Sequence, residues 1–330
     1  MKHISIIIQT GKSIMSSIVG TYDVFTKVNE YLIESGKLKT KMFDIDFVGL
    51  DKEMKLHNGI FTIKPSKTIH ELKKTDLIII TSPDGDLDES IEINKEFIPW
   101  ILNQRIENSS EIASLCVGAF LLAETGLLNG KSCSTHWVAS DYFKMKYPKI
   151  NLIPEKIITE ENGIYTSGGA FSFLNLILHL IEKYCGRETA IWCSKMFEIE
   201  FDRVNQNYFA IFNTQKNHKD ETIIKAQHFI ENNYGEKINV EELANMFASS
   251  RRNFVRRFKR ATSNTPLEYI QRVKIEAAKK SFEASTNNIS DVMFSVGYND
   301  NKAFRSIFRK FTGLSPLEYR NKYNREMAIV

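Results

Sequence analysis

The chain has 330 residues, 42% apolar and 25% charged, enough for two domains that each bury a core. No apolar run approaches the length of a membrane helix, and the start MKHISIIIQT lacks the cleavage site of a secretory signal, so a cytoplasmic protein with no membrane partner is expected. The formal charge of +4 is uneven, with +7 on residues 221–330 and −3 on residues 1–220, which points to a polyanion as partner of the carboxy-terminal third.

From the amino terminus, short apolar runs alternate with helical patterns. HISIIIQ (3–9), FDIDFVG (43–49), TDLIIITS (75–82) and EIASLC (111–116) read as strands. YDVFTKVNEYLIESG (22–36), IEINKEFIPWILNQR (91–105) and VGAFLLAETGLL (117–128) read as helices. Strands apolar on both faces suit a parallel sheet covered by helices, and such sheets bind ligands at the carboxyl ends of their strands. Cys116 is expected there, on a strand-to-helix elbow whose helix amino terminus would favour thiolate. Around it the sequence places Val117, Asp84 and Gly85 of TSPDGD (81–86), His136 at the end of a further short strand, and Ser167 and Gly168 in a Ser-Gly-Gly turn. These seven residues are the expected ligand pocket. The four cysteines, Cys116, Cys133, Cys185 and Cys193, have no zinc-ligand spacing, so free thiols are expected and neither a metal nor a cofactor. His179 falls on an apolar helix and reads as a core residue. NTQKNHKDE (213–221) is the expected hinge, giving domains of 1–200 and 221–330 with a linker over 201–220.

The carboxy-terminal third repeats itself. RRNFVRRFKRATSNTPLEY (251–269) aligns with NKAFRSIFRKFTGLSPLEY (301–319). Each copy follows a short amphipathic segment that opens on Asn, Asn239 or Asn288, with acids in the first turn. The pattern predicts, twice over, a short helix, a tight turn, a longer helix and a proline-opened helix. On the longer helices Phe254, Phe258 and Ala261, or Phe304, Phe308 and Phe311, face inward. The opposite basic face is what reading a DNA groove requires. Candidate DNA contacts are Ser250, Arg251, Arg252, Asn253, Arg256, Arg257 and Lys259 in copy one, and Asn301, Lys302, Arg305, Ser306 and Arg309 in copy two.

Residues 221–330 resemble the AraC/XylS-type DNA-binding domain. The resemblance is carried by Leu243-Ala244, Phe254, Phe258, Gly297-Tyr298, Phe304, Phe308, Gly313 and SPLEYR (315–320). Three positions depart from that pattern. Ser306 and Lys274 stand where arginine is usual, and Ser281 where an apolar residue is usual; copy one is therefore the expected main reader. CVGAFLLAETGLLNGK, STHW and YTSGGAFSFLNLILHLIEKYCGRETA resemble the PfpI-type branch of the class I glutamine-amidotransferase-like superfamily, as found in GlxA-like regulators. The resemblance implies a flavodoxin-like fold, with Cys116 and His136 at the positions of a nucleophile and a nearby histidine. It also implies vestigial chemistry. Val138 stands where amidotransferases carry glutamate, Val117 where PfpI proteases carry histidine, and residues 10–22 hold no acid. The expectation is a transcription regulator without catalytic residues. Its partners would be double-stranded DNA, an unidentified small-molecule effector and, by resemblance, a second copy. A cysteine-dependent hydrolase or amidase with a DNA-targeting module is the alternative, and an α/β domain that only dimerises is a third reading.

Overall fold

The computed structural model describes residues 1–201, 203–216 and 218–324. They form two units that meet between Gln206 and Asn207. In the first, a seven-stranded sheet runs in the order β10-β11-β7-β6-β1-β2-β5. Its strands are β1 (Lys2–Ile7), β2 (Phe43–Gly49), β5 (Lys67–Thr68), β6 (Leu77–Ile80), β7 (Glu111–Ser114), β10 (Ile158–Glu161) and β11 (Ile164–Ser167). All neighbours are parallel except β10 with β11. Two small pairs, β3 (Met54–Leu56) with β4 (Phe61–Ile63) and β8 (Ser132–Cys133) with β9 (Asn151–Leu152), complete it.

Period-two alternation divides the core. Ile4, Ile6, Leu77 and Ile79 point to one face, beneath α1 (Met15–Glu34), α6 (Phe173–Cys185) and α7 (Arg187–Met196). Ile7, Ile78, Ile80 and Ile112 point to the other. That face is covered by α3 (Phe97–Asn108), α4 (Ala119–Glu124) and α5 (Ser140–Lys146), with α2 (Leu87–Ile93) beside them. Burial on both sides is why these strands read as continuous apolar runs.

Two helices differ from expectation. α1 starts at Met15, seven residues before the predicted Tyr22. The buried Ser17 and Thr21 hydroxyls donate to the Ile14 and Ser17 carbonyls at 2.7 Å, so polar residues interrupt the apolar stripe without interrupting the helix. The predicted helix 91–105 breaks between Ile93 and Phe97 because the Asn94 carboxamide turns to the β1–α1 loop. It accepts from Thr10 N–H (2.7 Å) and donates to the Thr10 and Ser90 carbonyls.

The second unit is helical, as expected. It comprises α8 (Glu221–Asn232), α9 (Val240–Met246), α10 (Arg251–Thr262), α11 (Pro266–Ala284), α12 (Ile289–Ser295), α13 (Asn301–Thr312) and α14 (Pro316–Tyr323). Asn239 and Asn288 cap α9 and α12, and Thr265 and Ser315 cap the proline-opened α11 and α14. The first half of α11 packs into one small core with α8 to α10, and its second half into another with α12 to α14. Among the described residues of the expected linker, 201–220, two stretches are bonded into the units. Val204–Gln206 pair with Glu155–Ile157 in the first unit. From Tyr208 the chain is strapped to the second: Lys279 Nζ donates to the Ala210 carbonyl (2.7 Å), Phe212 N–H to Glu276 (3.1 Å) and Tyr323 OH to the Tyr208 carbonyl (3.1 Å).

Candidate nucleic-acid interface and crevice

The two helix-turn-helix copies superpose in their internal packing. Phe254 and Phe258 lie 5.7 Å apart at 53°, and Phe304 and Phe308 lie 5.7 Å apart at 54°. Each second phenylalanine meets the tyrosine of its PLEY edge-on, Tyr269 at 5.2 Å or Tyr319 at 5.5 Å. The third inward position differs from the wheel. Thr262 and Thr312 are fully buried, bonding the Phe258 and Phe308 carbonyls, while Ala261 and Phe311 are half-buried.

With the aromatics pinned inward, Ser250, Arg251, Arg252, Arg256 and Lys259 are exposed on α10, and Asn301, Lys302, Arg305, Ser306 and Arg309 on α13. Ser250 and Asp300 cap the two helices. Half-buried Asn253 accepts from Arg256 at 3.0 Å, and Arg251 sits 3.6 Å from Glu241. Among the described residues, neither Arg252 nor Arg256 makes an ion pair.

Arg257 departs from the expected set. Its guanidinium donates twice to Asp220, at 3.0 and 2.7 Å. Asp220 also caps α8. Partial burial pushes that carboxyl upward, but Arg257 holds it below the usual carboxylate range. The pair ties α10 to α8 and withdraws this cation from the basic face.

Lys274, at the middle of α11, was legible in sequence only as a stand-in for arginine. It is 6% exposed. Its ammonium donates to the carbonyls of Glu236 (2.9 Å), Val296 (3.0 Å) and Gly297 (3.4 Å). One side chain thus joins the loop after α8 to the turn after α12, fixing one helix-turn-helix copy against the other. Burial pulls its pKa down, with Glu236 opposing. Lys274→Met would leave three carbonyls short of a donor, and we expect the helical unit to lose about 1–3 kcal/mol in urea unfolding.

In the first unit, β7 leads to Cys116 as the elbow expectation required. Cys116 adopts φ +54, in the left-handed region disfavoured for any residue with a Cβ. Gly118 follows. A Cβ there would lie 2.7 and 2.8 Å from the Thr81 and Ile80 carbonyl oxygens, so only glycine lets the elbow approach β6 so closely.

The thiolate expectation is overturned. A short 3-10 turn, Cys116–Gly118, replaces the expected helix start, and the thiol is buried. Burial pushes its pKa up; the Ser82 hydroxyl and the Ala170 and Val117 backbone only partly offset that. His136 caps its own 3-10 turn. Its Nδ1 accepts from Val138 N–H at 3.0 Å, which places the proton of a neutral ring on Nε2, and burial lowers its pKa. Among the described residues no hydrogen bond joins His136 to Cys116, and no carboxylate holds the imidazole. Alkylation of native protein by iodoacetamide is therefore expected to be slow at neutral pH and to rise about ten-fold per pH unit below the thiol pKa. Rapid stoichiometric labelling of Cys116 at pH 7, read by peptide mass spectrometry, would contradict this.

The remaining pocket residues are only partly brought together. Ser167 is buried and its Oγ accepts from Cys116 N–H at 3.2 Å; Val117 is half-buried. Asp84 and Gly85 are exposed at the rim. Their N–H groups are already used, by the Lys12 carbonyl and by the Asp84 side chain. Gly168 N–H donates to the Ile157 carbonyl, and the space above it is filled by Gln206, a residue assigned from sequence to the linker. His179 is a half-exposed partner of Glu160 at 2.8 Å rather than a core residue.

Two family models match the chain: a helix-turn-helix domain over residues 243–322 and the DJ-1/PfpI family over residues 20–183. The relatives that match across both parts are helix-turn-helix regulators. The chain thus joins a DJ-1/PfpI-type region to an AraC-type helix-turn-helix domain, the make-up of a transcriptional regulator. The HTH-type transcriptional regulator ArgR of Pseudomonas aeruginosa is 26% identical over 222 residues, covering 67% of each chain. GbdR of the same species is 25% identical over 69% of this regulator and 62% of its own length, and CdhR 23% identical over 80% and 77%. Among solved structures, that of a candidate transcriptional regulator protein from Vibrio parahaemolyticus has a TM-score of 0.52 at 20% identity. The match covers 59% of this chain and 98% of that structure, and over that span the two share a fold. No helix among the described residues of this regulator is long and apolar enough to cross a membrane.

Proposed function

We propose that this regulator binds specific double-stranded DNA through α10 and α13. The first unit senses a small molecule in the crevice near Cys116, or pairs two copies of the chain, and performs no catalysis. What carries this reading is the twin packing of the recognition helices. Matched aromatic pairs are buried beneath each, and every basic candidate except Arg257 is left exposed. Arginine reads guanine bidentately in the major groove, and neighbouring recognition helices suit segments about one helical turn apart. The lack of catalysis is supported by a thiol that burial keeps neutral and by an imidazole whose Nδ1 is already taken. For the effector to act, it must bind the DNA-competent arrangement with a different affinity from the other.

The test is selection of bound fragments from a random DNA pool at fixed salt, with and without candidate metabolites. One enriched motif, with affinity falling steeply as salt rises, is the expected result. Cys116→Ala should leave DNA affinity unchanged without effector and alter only the response to it. Turnover of an amide or ester that is lost in Cys116→Ala would overturn the non-catalytic reading.

A further inference from the structure

Gln206 is the last residue of the first unit, and it is 1% exposed. Its carboxamide lies against the Ser-Gly-Gly turn. Oε1 accepts from Gly169 N–H at 2.9 Å, and Nε2 donates to the carbonyls of Thr135 (2.9 Å) and Pro154 (2.8 Å). Thr135 in turn donates its hydroxyl to the Cys116 carbonyl at 3.0 Å, so this cradle adjoins the elbow. A Cβ on Gly168 would lie 2.7 Å from Oε1, which means that the floor is built without side chains. One peptide bond further on, the chain leaves for the second unit as the strap over Tyr208, Ala210 and Phe212.

We propose that Gln206 is a latch. Its carboxamide occupies a ready-made site for a primary carboxamide, and an effector carrying that group displaces it and loosens the strap that follows. The donor pattern selects the chemical class. The cradle offers one N–H and two near carbonyl oxygens, with the Lys156 carbonyl beyond them at 3.4 Å. A carboxylate would set an anionic oxygen against the two carbonyls. An ammonium or guanidinium would leave the Gly169 N–H without an acceptor, at the cost of a buried unpaired donor. A primary carboxamide satisfies all three. Displacement reaches the strap because Gln206 immediately precedes it: without the side chain, this end of the first unit loses its bonds to Gly169, Thr135 and Pro154, while the edge pairing of Val204–Gln206 with Glu155–Ile157 stays. This inference rests on the crevice reading above and names the ligand class that the crevice takes.

The test uses the full-length protein and acetamide as probe, with N,N-dimethylacetamide and acetate as matched controls. In Gln206→Ala, and in the volume-preserving Gln206→Met, amide hydrogen exchange across residues 207–216 should accelerate about ten-fold, the loss of one net hydrogen bond. Acetamide should raise the melting temperature of Gln206→Ala, where the cradle is empty, and speed strap exchange in the wild type; neither control should do so. Unchanged strap exchange in both variants, or three solutes acting alike, overturns the latch. If acetamide binds but no metabolite shifts DNA affinity, the effector reading fails and the latch stands. If metabolites shift DNA affinity while strap exchange never changes, the latch fails alone.

Discussion

Replacing Arg252 and Arg256 together with alanine is expected to cost about 2–6 kcal/mol of specific DNA affinity, roughly 30-fold to 20,000-fold, with the fold intact. Both guanidiniums are exposed on α10, and neither is held by an acid among the described residues; the exposed Arg256 bond to Asn253 is lost with them. Each arginine that reads a base contributes by pairing with one base and rejecting others, so discrimination should fall along with affinity. Lys259→Ala should behave differently. A phosphate contact weakens binding to every sequence alike and lowers the salt slope by about one. Fluorescence anisotropy on the selected site and on scrambled DNA, across a salt series, separates the two effects. Affinity for the selected site within two-fold of wild type in the double variant would remove α10 from the interface.

Phe308→Ala should destabilise the second helix-turn-helix copy by about 3–5 kcal/mol. The ring is fully buried and meets Phe282, Phe304 and Tyr319 at 5.5–5.7 Å. The core around it is small, so little remains to absorb the cavity. Because α11 gives its first half to the other core, we expect residues 289–323 to lose exchange protection while α8 to α10 retain theirs. DNA should then be bound through α10 alone, with the enriched motif cut to one half-site. Uniform loss of protection across the whole helical unit would show instead that the two cores unfold as one.

What could be read in advance follows from which contacts are local. Strands buried on both faces announce themselves as apolar runs, and a fifty-residue repeat exposes a duplicated fold without any structure. Arg257 shows where residue type misled. On the helical wheel it lies only about 60° from Phe254, near the inward side, yet its charge placed it with the DNA contacts; the Asp220 that claims it is 37 residues away in sequence. Cys116 shows a different failure. The elbow was legible from strand and helix patterns, but the thiol's protonation depends on burial, which no local pattern reports. Gln206 left no signal at all. It sits in a polar stretch whose composition suits a tether, and its cradle is assembled from Thr135, Pro154 and Gly169, none of them near it in sequence.

The Lys274 ammonium and Gly297 occupy a space that admits only one arrangement. A Cβ at position 297 would fall 2.5 Å from Lys274 Nζ and 2.5 Å from the Gly235 carbonyl oxygen, on a backbone with φ +73. Neither position can drift alone: a bulkier residue at 297 evicts the cation, and a longer or forked cation at 274 must find room beside the same glycine. Swapping either half of this domain for a cousin's therefore requires carrying both residues across the graft.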